Sequence, residues 1–486
     1  MISKSKYLAG LQCSKLLWHL HNAPSARPAT DAATQAVFDQ GAEVGRLART
    51  LHPDGILINH DADPEQAITD TQAALDQRRP IFEAAFRFNG ASCRVDIMIP
   101  AGDDQWDLVE VKSTTGVKDV HLHDLAFQAH VLAGAEVKLR RCILMHLNSD
   151  YVRHGDLYPA RLFERANVTP QVRALTRGIE DRLDDLARVN RQPASPEVDI
   201  GKHCDDPYPC PLKDRCWSFL PDHSIFDLCR GGERSHQLFR QGVHSIHEIP
   251  DDVALTDRQA IQIASLRSGQ THVDRPAIRA FLERIKYPAH FLDFETINPA
   301  IPVYDGTSPY GQTPFQFSLH VQATPDADPV HHSFLADGSA DPRRALMDAL
   351  CGLIEPNGSV VAYNASFELR VLRECCVLLP EFRPWLESVE PRIVDLLEPF
   401  RKFHYYHRDQ RGSASMKRVL PALTGQGYEG LEIGDGGMAS REFLRVTFGD
   451  VDPADRERVR RDLETYCALD TSGMVDILGT LRGLTT

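Results

Sequence analysis

The chain has 486 residues, of which 42% are hydrophobic and 25% charged, so it is long enough for two or three domains of ordinary size. It contains no apolar run long enough to cross a bilayer and no signal-like start, so we expect a cytoplasmic protein without a membrane partner. The net charge of −14 argues against a nucleic-acid partner but does not exclude one, because metal-dependent nucleases concentrate acidic residues at their sites.

The first chemical signal lies in residues 86–115, FRFNGASCRVDIMIPAGDDQWDLVEVKSTT, which predict two strands joined by a polar turn. Asp96 lies on the first strand, and Glu110 and Lys112 lie on the second. Alternate residues of a strand point to one face, so Glu110 and Lys112 share a side. Carboxylates can bind a metal there while the lysine stabilises the attacking water or the developing phosphate charge, which indicates phosphodiester hydrolysis. The alternative is an ordinary exposed strand.

This pattern, an Asp followed after thirteen residues by Glu-x-Lys, resembles the PD-(D/E)xK nuclease core in its RecB-like branch. The resemblance implies a role for Gln128, which lies on the helix after the active strand. It also implies, more loosely, a metal ligand at Glu43 on a preceding helix, for which the alternative is a solvated acid. The position four residues after Gln128, where the branch often has Tyr, is Leu132 here.

Three cysteines stand apart, because most of the others are scattered singly in apolar surroundings. The segment HCDDPYPCPLKDRCW contains Cys204, Cys210 and Cys216, with five residues between neighbours, and Cys13 is the natural fourth ligand. Four thiolates suit either zinc or a [4Fe–4S] cluster, and the spacing leaves both open. The arrangement resembles that of iron–sulfur nucleases of the RecB type, which implies a structural [4Fe–4S] cluster in preference to zinc.

Residues 226–285 predict short helices with polar turns, which is typical of a helical linker or of a helix-hairpin-like module. Further on, RKFHYYHRDQR (401–411) interleaves aromatic residues with cations. Such a patch suits base stacking and phosphate contact. The alternative is a solvated loop.

A second group of acids begins with HFLDFET (290–296), where Asp293 and Glu295 share one face of a strand. Like charges this close repel unless a cation lies between them, so the pair indicates a divalent metal. The segment SVVAYNASFELRVLRE predicts a strand and then a helix with Glu368 in its first turn. Tyr466 and Asp470 lie one turn apart on a later amphipathic helix. Hard oxygen ligands favour Mg²⁺ or Mn²⁺.

This order of motifs resembles the DEDD exonucleases of the ribonuclease H-like fold, in the branch with a tyrosine in its last motif. The resemblance implies that two metals are held by four acids, Asp293, Glu295, Glu368 and Asp470. It also implies that Tyr466 positions the attacking water. The second motif commonly ends in Asp, whereas here it ends in Glu368. The alternative is that these acids are merely solvated.

Taken together, the sequence predicts an α/β protein that resembles an uncharacterised bacterial family. The predicted parts are a restriction-endonuclease-like PD-(D/E)xK domain over 1–225, a short helical linker over 226–285 and a ribonuclease H-like domain over 286–486. We expect a metal-dependent nuclease with two active centres, the second a 3′–5′ exonuclease on single-stranded DNA. The alternatives are a nucleic-acid-binding scaffold of a repair or defence complex with one inactive domain, and a 3′–5′ exoribonuclease.

Overall fold

The computed structural model describes residues 1–59, 63–338 and 340–485, which form two compact units. The first unit comprises Met1–Phe219 and Pro299–Tyr310, and the second comprises Leu220–Asn298 and Gly311–Thr486. Both units combine helices with a mixed sheet, so the predicted α/β class is confirmed. Within the described residues, every helix is too short or too polar to cross a bilayer.

The first unit is built on a seven-stranded sheet with the order β2-β3-β4-β5-β6-β7, in which β1 pairs in parallel with β4. Its strands are β1 (Ile2–Ser3), β2 (Ile56–Leu57), β3 (Ile81–Phe88), β4 (Ala91–Ala101), β5 (Gln105–Lys112), β6 (Lys138–Leu147) and β7 (Phe163–Asn167). Its helices are α1 (Lys4–Gln12), α2 (Ser14–Asn22), α3 (Ala32–Arg49), α4 (Pro64–Leu75), α5 (Asp119–Gly134), α6 (Pro159–Leu162), α7 (Thr169–Thr176), α8 (Ile179–Asn190) and α9 (Lys213–Trp217), with short 3-10 helices at Pro24–Ala26 and Lys202–Cys204.

The local sequence explains how the central strands of this sheet are connected. Asn89 and Gly90 both have positive φ and form the two-residue turn that joins β3 to β4, a connection that Asn-Gly strongly favours. Strand β5 then pairs antiparallel with β4 and parallel with β6, and the crossover between β5 and β6 is the largely buried helix α5. Consequently β4, β5 and α5 present their side chains to one region.

The second unit contains a five-stranded sheet with the order β11-β10-β9-β12-β13. Strands β9, β10 and β11 are antiparallel, whereas β12 runs parallel to β9 and β13 parallel to β12. The strands of the unit are β8 (His272–Val273), β9 (Ala289–Ile297), β10 (Thr313–Gln322), β11 (Val330–Leu335), β12 (Ser359–Ala362), β13 (Ile393–Asp395) and β14 (Tyr405–Tyr406). Its helices are α10 (Gly232–Arg240), α11 (Asp257–Ser268), α12 (Arg275–Leu282), α13 (Arg343–Leu353), α14 (Ser366–Leu378), α15 (Arg383–Val389), α16 (Glu398–Arg401), α17 (Met416–Thr424), α18 (Gly436–Phe448) and α19 (Pro453–Gly483), with 3-10 helices at Ile225–Asp227, Ile246–Glu248, Pro380–Phe382, Glu390–Arg392 and Arg408–Gln410.

The long helix α19 buries a continuous stripe of side chains at helical spacing against β9 and β10. Helix α17 packs closely on α19 at Gly473, where an added Cβ would lie 2.9 Å from the side chains of Leu420 and Met416. This packing brings the acids of β9 and the polar residues of α19 into one region of the unit.

Residues 226–285, predicted as a linker or a helix-hairpin-like module, belong to the second unit. They have a small hydrophobic core of their own, which includes Leu238, Ile246 and Ile263. The Glu248 carboxylate accepts hydrogen bonds from the His244 and Ser245 amides, so these backbone groups are already satisfied.

Candidate metal centres

Three carboxylates of the second unit meet at one point. Asp293 and Glu295 come from β9 and Asp470 comes from α19, and one ligand atom from each lies within 4.8 Å of the other two. Phe294, between the two strand acids, points into the hydrophobic core on the other face of the sheet. The predicted convergence of these three acids is therefore present. With Glu368 they are called the second centre below.

Burial and mutual repulsion make this negative charge unfavourable. Burial, reinforced by the Asp470, Glu295 and Glu368 carboxylates, raises the pKa of Asp293 well above its usual range. Burial and the Asp470 carboxylate raise the pKa of Glu295 to about 8. Burial also raises the pKa of Asp470, to about 6, although a hydrogen bond from Tyr428 opposes it. A bound divalent cation would relieve this repulsion.

Glu368 is the fourth acid that the sequence predicts for this centre. It lies in the first turn of α14 and is 2% exposed. Its Oε2 atom has no hydrogen-bond partner within the described residues. Burial, with a contribution from Asp395, raises its pKa to about 8. A buried carboxylate oxygen without a donor, close enough to act on Asp293, fits a metal ligand.

Polar side chains surround Asp470. Tyr466, which the sequence predicts, lies close enough to Asp470 to lower the pKa of its carboxyl. Tyr428, which the sequence does not predict, donates a hydrogen bond to Asp470. The Nζ atom of Lys417 lies 5.8 Å from the centroid of each tyrosine ring and donates to the Gly434 carbonyl at 2.5 Å. Tyr428 and Lys417 carry no local sequence signal, because only tertiary packing brings them to the acids.

The first unit gathers its predicted residues as well. The Asp96 Oδ2 atom accepts a hydrogen bond from the Val111 amide at 2.8 Å. Lys112 Nζ lies 2.6 Å from Glu110 Oε1, and Gln128 Nε2 lies 2.7 Å from Glu110 Oε2. We call Asp96, Glu110, Lys112 and Gln128 the first centre.

Two further residues complete the first centre. Asp124, one turn before Gln128 on α5, accepts hydrogen bonds from Lys112 at 2.7 Å and from Gln128 at 2.9 Å. Lys4, the first residue of α1, lies 2.8 Å from Glu110. Neither residue is predicted by the sequence motifs. The spacing of Asp124 and Gln128 was an available signal, since side chains four apart share a helix face.

The electrostatics of the first centre differ from those of the second. Burial alone would disfavour the charged form of Glu110, but the ammonium groups of Lys112 and Lys4 outweigh it and hold its pKa well below the usual range. Burial and the neighbouring Glu110 raise the pKa of Asp96 to about 7. The ammonium groups thus stabilise the charge of Glu110, whereas burial and the neighbouring Glu110 also raise the pKa of Asp124.

Glu43 is the most weakly supported of the predicted ligands. It lies on α3 with 57% of its side chain exposed, 3.9 Å from Arg46 on the same helix. Its assignment as a metal ligand stays a prediction.

The four predicted cysteines line one cavity, the cysteine cavity, together with Lys15, Asp199, His203 and Lys213 among others. Cys13 ends α1, Cys204 ends a 3-10 helix, and the Cys210 amide donates to the Cys204 carbonyl at 2.8 Å. All four are free thiols. Burial raises the pKa of Cys13 and of Cys210, and neighbouring cysteines of the cavity add to both shifts. The thiols that sequence places almost 200 residues apart are therefore neighbours.

Residues 401–411 were predicted to expose aromatic side chains for base stacking, and this prediction is wrong. Tyr405 and Tyr406 form strand β14, which pairs with β8, and they are 4% and 1% exposed. Phe403 is also buried and stacks on Tyr406. These rings are therefore core residues and offer no surface for base stacking.

Comparison with known proteins reaches only part of the chain. Residues 290–415 match a family model described as a domain of unknown function, DUF2779. An uncharacterized MG366 homolog of Mycoplasma pneumoniae is 25% identical over 214 residues, which cover 40% of this chain and 32% of that protein. The uncharacterized protein UU173 of Ureaplasma parvum is 23% identical over 235 residues, which cover 43% and 33%. The chain thus spans about a third of the length of the curated relatives it matches. The family match includes Asp293, Glu295 and Glu368.

Proposed function

We propose that this protein is a metal-dependent nuclease with two active centres, the second acting as a 3′–5′ exonuclease on single strands. The observation that carries the proposal is the gathering of Asp293, Glu295 and Asp470 within 4.8 Å, in a buried setting that raises their pKa values. Evenly solvated acids would not converge in this way. A sheet with antiparallel β9–β11 and parallel β12 and β13 suits the ribonuclease H-like fold that the motif resemblance implies.

The residues present fit two Mg²⁺ or Mn²⁺ ions in the second centre. The carboxylates of Asp293, Glu295, Glu368 and Asp470 would hold them. When bound, such ions activate water and stabilise the leaving oxygen of a phosphodiester. Tyr466, which lies one helical turn from Asp470 and lowers the pKa of its carboxyl, is suitably situated to orient the attacking water. Lys417 adds a positive charge that favours the ionised form of Glu295 and of Asp470.

The first centre supports a second, separate hydrolytic activity. Asp96 and Glu110 offer carboxylates on neighbouring strands, and Lys112 lies beside Glu110. In this arrangement Lys112 can stabilise the developing charge on a phosphate, and Gln128 holds the Glu110 carboxylate from the other side. These contacts suit the RecB-like core implied by the sequence.

For the cysteine cavity we propose a structural [4Fe–4S] cluster. The four cysteines line one cavity and are free thiols, so they can together hold either zinc or an iron–sulfur cluster. The resemblance to iron–sulfur nucleases of the RecB type favours iron and sulfide.

We propose single-stranded DNA as the substrate and the cytoplasm as the location. Chemistry at two metal ions is indifferent to the sugar, so an exoribonuclease remains the second candidate. The charge compensation in the first centre supports the third candidate, in which that unit binds nucleic acid without cutting it.

The test uses 3′- and 5′-end-labelled single- and double-stranded DNA and RNA with Mn²⁺. Asp293→Asn should slow 3′-end trimming by roughly a hundredfold or more, because it removes one of the carboxylates that would hold the proposed ions. Glu387→Gln, which changes an exposed acid of the same unit, should leave trimming unchanged. Lys112→Ala should abolish any cleavage that persists in Asp293→Asn.

The outcomes separate the candidates. Undiminished trimming by Asp293→Asn would remove the second centre from the mechanism. Trimming confined to RNA would favour the exoribonuclease. Binding without cleavage of any substrate would favour the scaffold.

A further inference from the structure

Lys4 is held in place on two sides. Immediately before it, Ser3 pairs with Ser92 in the parallel pairing of β1 with β4, the strand that carries Asp96. After it, the buried ring of Tyr7 stacks on Phe127 of α5 with centroids 4.8 Å apart. The backbone of Lys4 is therefore fixed between a strand and a helix of the first centre.

The Lys4 side chain enters the first centre directly. Its Nζ atom lies 2.8 Å from Glu110 Oε1 and 3.5 Å from Asp124 Oδ1. Lys112 Nζ contacts the same Glu110 oxygen at 2.6 Å and the other Asp124 oxygen at 2.7 Å. Since the Glu110 and Asp124 side chains are only 1% and 2% exposed, water cannot separate their charges. Two ammonium groups bridge them instead.

An independent feature points to a further ligand at this position. Gln128 is fully buried, and its Nε2 atom donates to both Glu110 and Asp124. Its Oε1 atom has no hydrogen-bond partner within the described residues. A buried amide oxygen costs free energy unless a donor or a cation satisfies it. The Glu110 and Asp124 carboxylates beside this amide supply oxygen atoms of the kind that hard divalent cations prefer.

The charge balance shows what a cation would displace. When ionised, Asp96, Glu110 and Asp124 carry three negative charges, and Lys4 and Lys112 carry two positive ones. A divalent cation and one lysine would balance the three carboxylates, whereas a divalent cation and two lysines would leave an excess of positive charge. Lys4 is the lysine free to leave, because it has the longer contact with Asp124 and lines a cleft open to solvent.

We propose that Lys4 is a positioning residue that takes the place of a divalent cation between Glu110 and Asp124 and moves away when the cation binds. The proposal rests on the metal-dependent function of the first centre. It makes metal binding there a competition with an internal ammonium group, so that Lys4 sets the metal concentration at which the centre fills.

The first experiment measures Mn²⁺ binding to the full chain by electron paramagnetic resonance. The second centre is first disabled by Asp293→Asn with Glu295→Gln. In that background Lys4→Gln should bind Mn²⁺ more tightly by about tenfold or more, because the competing ammonium has been removed. The matched control is Lys6→Gln, two residues further along the same helix, which removes a charge without a contact to the first centre. Its affinity should stay within about twofold of the background.

The second experiment uses the unmodified chain and is therefore independent of any effect of Lys4→Gln on folding. Acetylation of each lysine by a small amine-reactive ester is followed by mass spectrometry with and without Mn²⁺. Mn²⁺ should increase the labelling of Lys4 several-fold relative to Lys6, since the displaced ammonium loses its carboxylate partners.

These measurements separate two kinds of failure. Equal or weaker Mn²⁺ binding by Lys4→Gln, or Lys4 labelling that Mn²⁺ leaves unchanged, overturns the role of Lys4 while the metal site stands. If no Mn²⁺ binds to the first centre in any variant, its metal-dependent function is wrong and the role of Lys4 falls with it.

Discussion

Replacing Glu295 by Gln tests the electrostatic argument for the second centre without any substrate. The pKa of this carboxyl is raised from 4.5 to about 8 in the folded chain, first by burial and then by Asp470. In the metal-free protein the folded state therefore retains a proton that the unfolded state releases. The stability of the wild-type protein should fall as the pH rises from about 4.5 to about 8, and Glu295→Gln should escape this loss.

The size of the effect follows from the same shift. Between pH 5 and pH 7, a carboxyl with these two pKa values disfavours the folded state by about 2 to 3 kcal/mol. For a unit of this size, that corresponds to roughly 5–10 °C in the thermal midpoint. In EDTA at pH 7, Glu295→Gln should therefore melt above the wild type, and at pH 5 the two midpoints should nearly coincide.

Differential scanning fluorimetry across this pH range, with and without Mn²⁺, measures both effects. Mn²⁺ should raise the midpoint of the wild type more than that of Glu295→Gln, because the ion takes the place of the bound proton only where the carboxylate is present. Glu387→Gln is the control for changing an exposed acid. If Glu295→Gln melts at or below the wild type in EDTA at pH 7, the protein compensates this charge internally and the argument for a metal fails.

Two other changes probe single contacts. Tyr428→Phe removes a hydrogen bond that lowers the pKa of Asp470, so half-maximal Mn²⁺ binding to the second centre should move to higher pH; an unchanged binding profile would show that this bond is unimportant. Protein purified without oxygen should absorb near roughly 400 nm and contain iron and sulfide, and Cys210→Ser should lose both while Cys351→Ser, in α13, keeps them. A colourless wild type with one zinc ion would contradict the iron–sulfur proposal.

Much of both centres could be predicted because the acids follow local periodicity. Strand alternation alone brings Asp293 beside Glu295, and helical spacing aligns Tyr466 with Asp470. The cysteine trio was recognisable for a similar reason, since its regular spacing within a Pro-rich turn does not suit core packing.

The missed residues reach the centres through packing between distant elements. Lys4 arrives because α1 docks on α5, and Tyr428 arrives because the segment after α17 returns to α19. No pattern in the sequence near Lys4 or Tyr428 predicts these contacts. The wrong prediction at Tyr405 and Tyr406 has the same origin, because their burial depends on a pairing with β8, more than 130 residues earlier.

Local sequence patterns also could not predict which residues belong to which of the two units. Residues 299–310, between β9 and β10, read as an ordinary connection, yet they belong to the first unit. There Arg153 donates to the carbonyls of Pro302 and Val303 at 3.0 and 2.8 Å. Such hydrogen bonds to backbone carbonyls are independent of the side chains at 302 and 303, so no residue type marks them.

The two centres differ in how nearby cations stabilise their buried carboxylates. In the first, Lys4 and Lys112 contact Glu110 directly and stabilise its charge without metal. In the second, Lys417 is a nearby cation among the described residues, and it lies beside the tyrosine rings while Asp293 and Glu295 keep raised pKa values. A metal entering the second centre displaces protons, whereas one entering the first must displace an ammonium group as well. The second centre should therefore fill at the lower metal concentration near neutral pH, and the first should depend on how readily Lys4 moves.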